Sequence, residues 1–339
     1  MHKSDSKPGA AFLGEEGTAP TLRKSERTNS MEEDKLGEPA LQYSSGMIAA
    51  KLKNGEKILV QDVSFDIFPG ETMALIGETG SGKTMIAQSI LGTLPRNVHA
   101  AGTSIELCGH PLPSGRKLRA MLGRDIVYIP QNGHEFLNPS RTVFRHMADG
   151  LQRLGVPASQ RRQEATRLLS LAGFSAPEEI LNQYPFQLSG GMAQRVTIAL
   201  ALCSKAKLLI ADEPTNGLDS QGKHQFLNLL DDLFPGAAKL VITHDISVAA
   251  LCNHILVLCS GRSMEAGPGA SVLESPKHPY TKALLEALVE NGMKETPMLR
   301  NAEGSCPFYA RCSRVNAACL AETIPVRKQD EREWRCVLL

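Results

Sequence analysis

The stretch "GETGSGKT", Gly77 to Thr84, limits the possible folds more than any other part of the chain. Before it, "GETMALIG" reads as a short buried strand bounded by glycines. After it, Ile86, Ile90 and Leu94 recur at helical spacing and give one apolar face that ends before Pro95. A strand, a glycine-rich loop and a helix in that order suit one purpose. In the pattern G-x-x-x-x-G-K-[ST], the backbone N–H groups from Gly77 through Glu78, Thr79, Gly80, Ser81 and Gly82 wrap a phosphate chain. Lys83 reaches the outer phosphates and the Thr84 hydroxyl ligates Mg²⁺, while the helix points its positive end at the same anion. The bland alternative is a glycine-rich turn with an exposed lysine, and the strand–loop–helix context argues against it.

The surrounding pattern is α/β. "KILVQDVSFDIF" alternates like a paired strand, and "RDIVYIPQ", "KLLIADEP" and "KLVITHD" are apolar strands that stop at Pro130 or at charged residues. Arg145 to Tyr184 reads as helical and polar. Strands alternating with helices predict a largely parallel sheet whose ligand site lies at the strands' carboxyl ends. At one such end Asp212 stands beside Glu213. Two adjacent carboxylates repel unless a cation is near, so Asp212 fits holding Mg²⁺ and Glu213 fits polarising the attacking water. Residues 1–46, rich in Ser, Glu, Lys, Gly and Pro, are expected to be disordered, with Met31 and Met47 as possible internal starts.

Charge excludes some partners. The formal net charge is +1, from 37 basic and 36 acidic residues, so no single-sign field draws the chain to nucleic acid. No apolar run approaches the roughly 18 residues of a membrane helix, and the N-terminus lacks a secretory h-region. The expected location is therefore cytoplasmic.

"LSGGMAQR", Leu188 to Arg195, adds the most specific signal. Here the chain resembles the ATP-binding subunits of ABC transporters, whose signature is L-S-G-G-Q, with Met192 in the fifth place. Other family motifs follow in order: Gln131 matches the Q-loop glutamine, Leu218 and Asp219 the D-loop, and His244 the switch histidine. The resemblance covers about residues 47–288. It implies a P-loop NTPase with a RecA-like core, an antiparallel β-subdomain and a helical subdomain near 135–195, the ATPase domain spanning 47–274. It implies ATP and Mg²⁺ as ligands, the metal held by Thr84, Gln131 and Asp212, with Glu213, His244 and Gln131 catalytic. Ser189, Gly190 and Gly191 are implied to reach the γ-phosphate held by an opposite subunit. The family commonly stacks adenine on an aromatic residue upstream of the loop; Ile58 stands there instead.

"SPKHPYTKALLEAL", "QYPFQLSGG" and "HEFLNPSRTV" resemble the oligopeptide, dipeptide and nickel importer branch. That implies an ATPase on the cytoplasmic face of the membrane, energising import of short peptides, with nickel import as the alternative. Its implied partners are two membrane permease subunits, a homologous second ATPase and, indirectly, an extracytoplasmic binding protein. A soluble, non-transport ABC protein is the remaining class. Of eight cysteines, Cys108, Cys203, Cys252 and Cys259 lie in or near apolar segments and read as core. Cys306, Cys312, Cys319 and Cys336 fall in a short polar tail, within an extension expected over 275–339. Four thiolates there suit a [4Fe–4S] cluster; zinc or metal-free thiols are the alternatives.

Overall fold

The computed structural model describes residues 37–216, 218–288, 291–296, 305–320 and 323–338. The expectation for residues 1–36, including Met31, lies outside them. Strands β1 (Leu41–Leu52), β2 (Gly55–Ile67), β4 (Val98–Ala101), β5 (Ser104–Leu107) and β6 (His110–Pro111) form an antiparallel sheet. The expected disordered segment through residue 46 therefore runs too far. Leu41 and Tyr43 face inward, Leu41 pairs with Ile67, and Tyr43 stacks on Phe65 at 4.9 Å. Alternate burial along β1, not a continuous apolar run, makes it a strand, and the serines between the buried positions hide that pattern.

The second sheet carries the site. Its order is β12 (Arg327–Gln329), β13 (Arg332–Trp334), β11 (Arg262–Pro268), β10 (His254–Cys259), β3 (Thr72–Ile76), β9 (Ala238–Thr243), β8 (Leu208–Asp212), β7 (Ile126–Ile129). The run from β10 to β7 is parallel, and β3 and β9 are buried along their whole length, as strands covered on both faces must be. One face packs on α1 (Lys83–Leu91) and the antiparallel sheet; the other packs on α8 (Ser220–Leu233), α9 (Ile246–Ala249), α10 (Gly269–Glu274) and α11 (Pro279–Glu286). Helix α1 stops at Gly92, which takes a left-handed conformation, so Leu94 lies past the helix that its spacing suggests.

Helices α3 (Gly133–Phe136), α4 (Val143–Arg153), α5 (Arg161–Leu171), α6 (Pro177–Asn182) and α7 (Gly190–Leu202) follow β7, after the short α2 (Gly115–Met121). The last four of them share their own core around Met147, Leu169, Leu181 and Val196. The extension after residue 274 is not a free-standing module, because β13 pairs with β11 and continues the main sheet. The join is electrostatic. The Glu265 carboxylate, buried on β11, accepts hydrogen bonds from Arg332 (2.5 Å) and from the backbone N–H groups of Lys277 and His278 (both 2.9 Å). Burial holds His278 near pKa 4, and its neutral Nδ1 accepts from the Tyr280 N–H.

Removing one partner of a buried ion pair leaves the other charge uncompensated. Arg332→Ala is expected to destabilise the protein by about 3 kcal/mol, read as a drop in Tm. Arg327→Ala, on the exposed outer strand, is the control with little change.

Candidate functional site

Three strand ends converge on one helix N-terminus. The loop from Gly77 to Gly82 connects β3 to α1. Gly77 has φ +150°, and a Cβ there would lie 2.2 Å from the Leu258 carbonyl oxygen, so the sharp exit from β3 admits only glycine. Within the loop the Ser81 hydroxyl is buried with no hydrogen-bond partner among the described residues, a donor that fits an anion. Glu78, Thr79, Gly80 and Thr84 are exposed. Lys83 is buried, and its Nζ donates to the carbonyls of Gly77 (2.7 Å) and Glu78 (3.1 Å). Burial depresses its pKa, against the raising effect of Glu213, Asp212 and Glu78. The loop and the β8 end thus form one electrostatic unit.

Asp212 closes β8, with the Tyr128 hydroxyl donating to it at 3.3 Å. Burial raises its pKa, and the neighbouring Glu213 charge adds to that. The next residue turns sharply: Glu213 has φ +46°, unusual for a side chain with a Cβ and a form of strain often held at functional sites. The turn delivers its carboxylate to the end of β9, where Thr243 Oγ1 (3.3 Å) and His244 Nδ1 (2.7 Å) donate to it. Of the donors expected for Mg²⁺, Gln131 and Asp212 line one cleft with Tyr128 and Asn216, whereas Thr84 lines the cavity beside the loop. They suit a hard cation completed by phosphate oxygens.

A cavity of about 460 Å³ adjoins the loop, lined by Lys57, Ile58, Leu59, Ser260 and residues from Gly80 to Met85. Ile58 is half-exposed at its rim, and no signature residue lines it. Ser189 caps α7 by accepting from the Met192 N–H (3.3 Å). A Cβ at Gly190 or Gly191 would meet nothing, so neither glycine is required by packing within this chain.

Sequence reasoning missed three contributors. Gln194 on α7 donates to the carbonyls of Pro130 and Pro214 (both 3.3 Å), tying the signature helix to both strand exits. Tyr280 and Arg311 reach Glu78 from the extension: the Glu78 N–H donates to the Tyr280 hydroxyl (3.1 Å), and Arg311 pairs with the Glu78 carboxylate (2.7 and 2.9 Å). The one available signal was a carboxylate inside a phosphate loop, which calls for a cation from elsewhere.

Cys203, Cys252 and Cys259 are buried as expected, their thiols pushed up to about 12, 12 and 11; Cys108 is half-buried. The tail thiols come into mutual electrostatic range, each of Cys312, Cys319 and Cys336 adding to the rise of Cys306, whose pKa burial pushes to about 11. Yet no three His, Cys, Asp or Glu side chains among the described residues are placed to hold a metal ion. The expected ligand set is gathered without ligand geometry.

Comparison with known proteins accords with the site. The "ABC transporter" family model matches residues 60–216, and "Oligopeptide/dipeptide transporter, C-terminal region" matches 264–319. The dipeptide transport ATP-binding protein DppD of Bacillus subtilis is 36% identical over 77% of this chain and 82% of its own length. DppD of Escherichia coli is 33% identical over 82% of this chain and 90% of its own. A component of an ABC transporter complex from Clostridium perfringens superposes with a TM-score of 0.60 at 25% identity, covering 70% of this chain and 92% of that one. A dimeric ATP-binding cassette with ADP and phosphate bound gives 0.59 at 25% identity, over 67% and 98%. With a loop that can cradle phosphates, a carboxylate pair beside it and an extension of the matching kind, the chain belongs to the ATP-binding subunits of ABC transporters, in the oligopeptide/dipeptide branch.

Proposed function

We propose that this chain hydrolyses ATP to energise import of short peptides across the cytoplasmic membrane. The carrying observation is the meeting of Lys83, Asp212, Glu213 and His244 at one helix N-terminus, in a chain whose extension matches the oligopeptide/dipeptide type. The relatives carry dipeptide transport names, so the nickel alternative is not favoured. Among the described residues no helix is long and apolar enough to cross a membrane; the proposal that the chain drives membrane subunits rests on its match to the oligopeptide/dipeptide transporter type.

On this reading Lys83 and the loop N–H groups hold the β- and γ-phosphates, all but that of Glu78, which the Tyr280 hydroxyl already engages and which is therefore not the phosphate donor its place in the motif suggests. Thr84, Gln131 and Asp212 would hold Mg²⁺, which would supply charge neutralisation to the phosphates. Glu213 accepts a hydrogen bond from the attacking water, and His244 and Thr243 fix the carboxylate that does so. Ser189, Gly190 and Gly191 serve the loop of a second ATPase chain, with the bare glycines leaving room for a phosphate to approach α7. Closure on ATP and release after hydrolysis would be read by two permease subunits as a population shift.

Glu213→Gln keeps the shape and loses the base. ATP binding is expected to persist while turnover falls about 100-fold or more; turnover near wild type would sink the assignment.

Asp212 supplies a pH test. An acid whose folded pKa lies above its unfolded value destabilises the fold once ionised, and that cost grows as pH rises from the unfolded toward the folded pKa. Nucleotide-free Asp212→Asn should therefore melt above wild type near neutral pH. The gap should close at acid pH, and a gap that widens there would contradict the charge account.

The tail cysteines carry the last part of the reading, a [4Fe–4S] cluster with zinc as the alternative, supported by four thiols drawn together on one short tail and not by a ligand geometry. Binding has to displace protons that burial holds on Cys306 and Cys336. Anaerobically purified protein should contain iron and sulfide, lost on Cys306→Ser and kept on Cys203→Ser. Zinc without iron would substitute a structural zinc site, and neither metal would leave four thiols.

A further inference from the structure

A carboxylate inside a phosphate loop is an electrostatic problem. Glu78 follows Gly77 directly, and about half of its side chain is exposed on the loop that is to receive a polyanion. Unscreened, its charge opposes every phosphate nearby.

We propose that Arg311, on the cysteine-bearing extension, is a positioning residue of the ATP site: it neutralises Glu78 and, with Tyr280, holds the first turn of the phosphate loop in its anion-accepting shape. The pairing is a two-pronged fork, Nη1 to Oε1 at 2.7 Å and Nη2 to Oε2 at 2.9 Å, which fixes direction as well as charge. The guanidinium itself is held from behind, lying 5.2 Å from the ring centre of Phe308 and 5.9 Å from that of Tyr280. Both rings are buried. The Arg311 backbone is fixed in a turn, its N–H donating to the Phe308 carbonyl at 3.0 Å.

The remaining polar groups of Glu78 are occupied too. Its N–H is turned to the Tyr280 hydroxyl and its carbonyl accepts from Lys83 Nζ, so this residue offers the nucleotide neither a free N–H nor a free charge. Its place in the loop is to be restrained. Tyr280 and Arg311 both fall within the stretch that matches the oligopeptide/dipeptide C-terminal region, whereas Glu78 falls within the ABC transporter match. The extension therefore reaches into the ATP site as well as decorating the sheet edge.

A simple tether that holds the extension down would use the same ion pair, and a double-mutant cycle separates the two. ATP affinity of the full-length chain is measured by calorimetry, with Tm recorded for each variant. Arg311→Ala should raise the Kd for ATP by about three- to tenfold, a range set by a half-exposed charge pair, and the loss in hydrolysis should fall on KM more than on kcat. Arg311→Lys, keeping charge without the fork, should show a smaller rise. In a Glu78→Gln background, Arg311→Ala should change Kd less than about twofold, because no charge is left to neutralise. An unchanged Kd in Arg311→Ala, or an equal rise in both backgrounds, overturns the proposal and leaves a tether. Should Arg311→Ala fail to fold, Arg311→Lys carries the same cycle. The proposal rests on ATP occupying this loop, which Lys83→Ala tests separately. Binding that survives Lys83→Ala rejects the loop as the ATP site, whereas binding lost there but indifferent to Arg311 rejects the proposal alone.

Discussion

A buried ammonium within electrostatic reach of three carboxylates sets the charge balance of this site. Lys83 feels Glu213, Asp212 and Glu78, and its Nζ donates to the loop's own carbonyls at Gly77 and Glu78. Everything nearby follows from keeping that cluster assembled. The parallel pairing of β3, β9 and β8 puts their carboxyl ends side by side, so residues far apart in sequence meet at one place. The strained backbone at Glu213 then aims one carboxylate at His244 while the other stays at the strand end. Two neighbouring acids with divergent directions suit two different tasks, one for a cation and one for water.

The extension bears on the same balance. Its strands lengthen the main sheet through Glu265 and Arg332, and its cysteine-bearing turn delivers Arg311 to Glu78. Because Arg311 directly precedes Cys312, any bond formed by the tail thiols acts on the turn that holds the guanidinium. Chemistry at the cysteines and charge at the loop share one short piece of backbone.

Much of this was legible in the sequence. The phosphate loop, the Asp212–Glu213 pair, Gln131, Ser189 and His244 could be named as candidates because each occupies a fixed offset in a local pattern. The strands β3, β7, β8 and β9 were legible because burial leaves each a short, mostly apolar run, interrupted in β9 by the buried Lys239. What failed was non-local. The start of β1 at Leu41 is fixed by pairing with Ile67, and β13 by pairing with β11, and neither pairing has a local signal. Arg311 lies far from Glu78 in sequence, and no spacing rule connects a cysteine tail to a phosphate loop. The end of α1 at Gly92 was a different error, since the apolar repeat at Leu94 continues into the partly buried residue beyond the helix.

The loop cavity also argues for an incomplete site. Its walls include the loop, Ile58 and Ser260, but nothing from α7, whose capped N-terminus and two unhindered glycines face outward. Glycine in the first turn of a helix costs stability relative to alanine, and here no internal contact requires it. Phe186, also outside the core and stacked on Tyr184 at 5.6 Å, extends that exposed surface just before Ser189. The exposed N-terminus of α7 and the aromatics before it thus lie apart from this chain's own loop cavity, which is the observation behind the proposed role of Ser189, Gly190 and Gly191 toward a second chain.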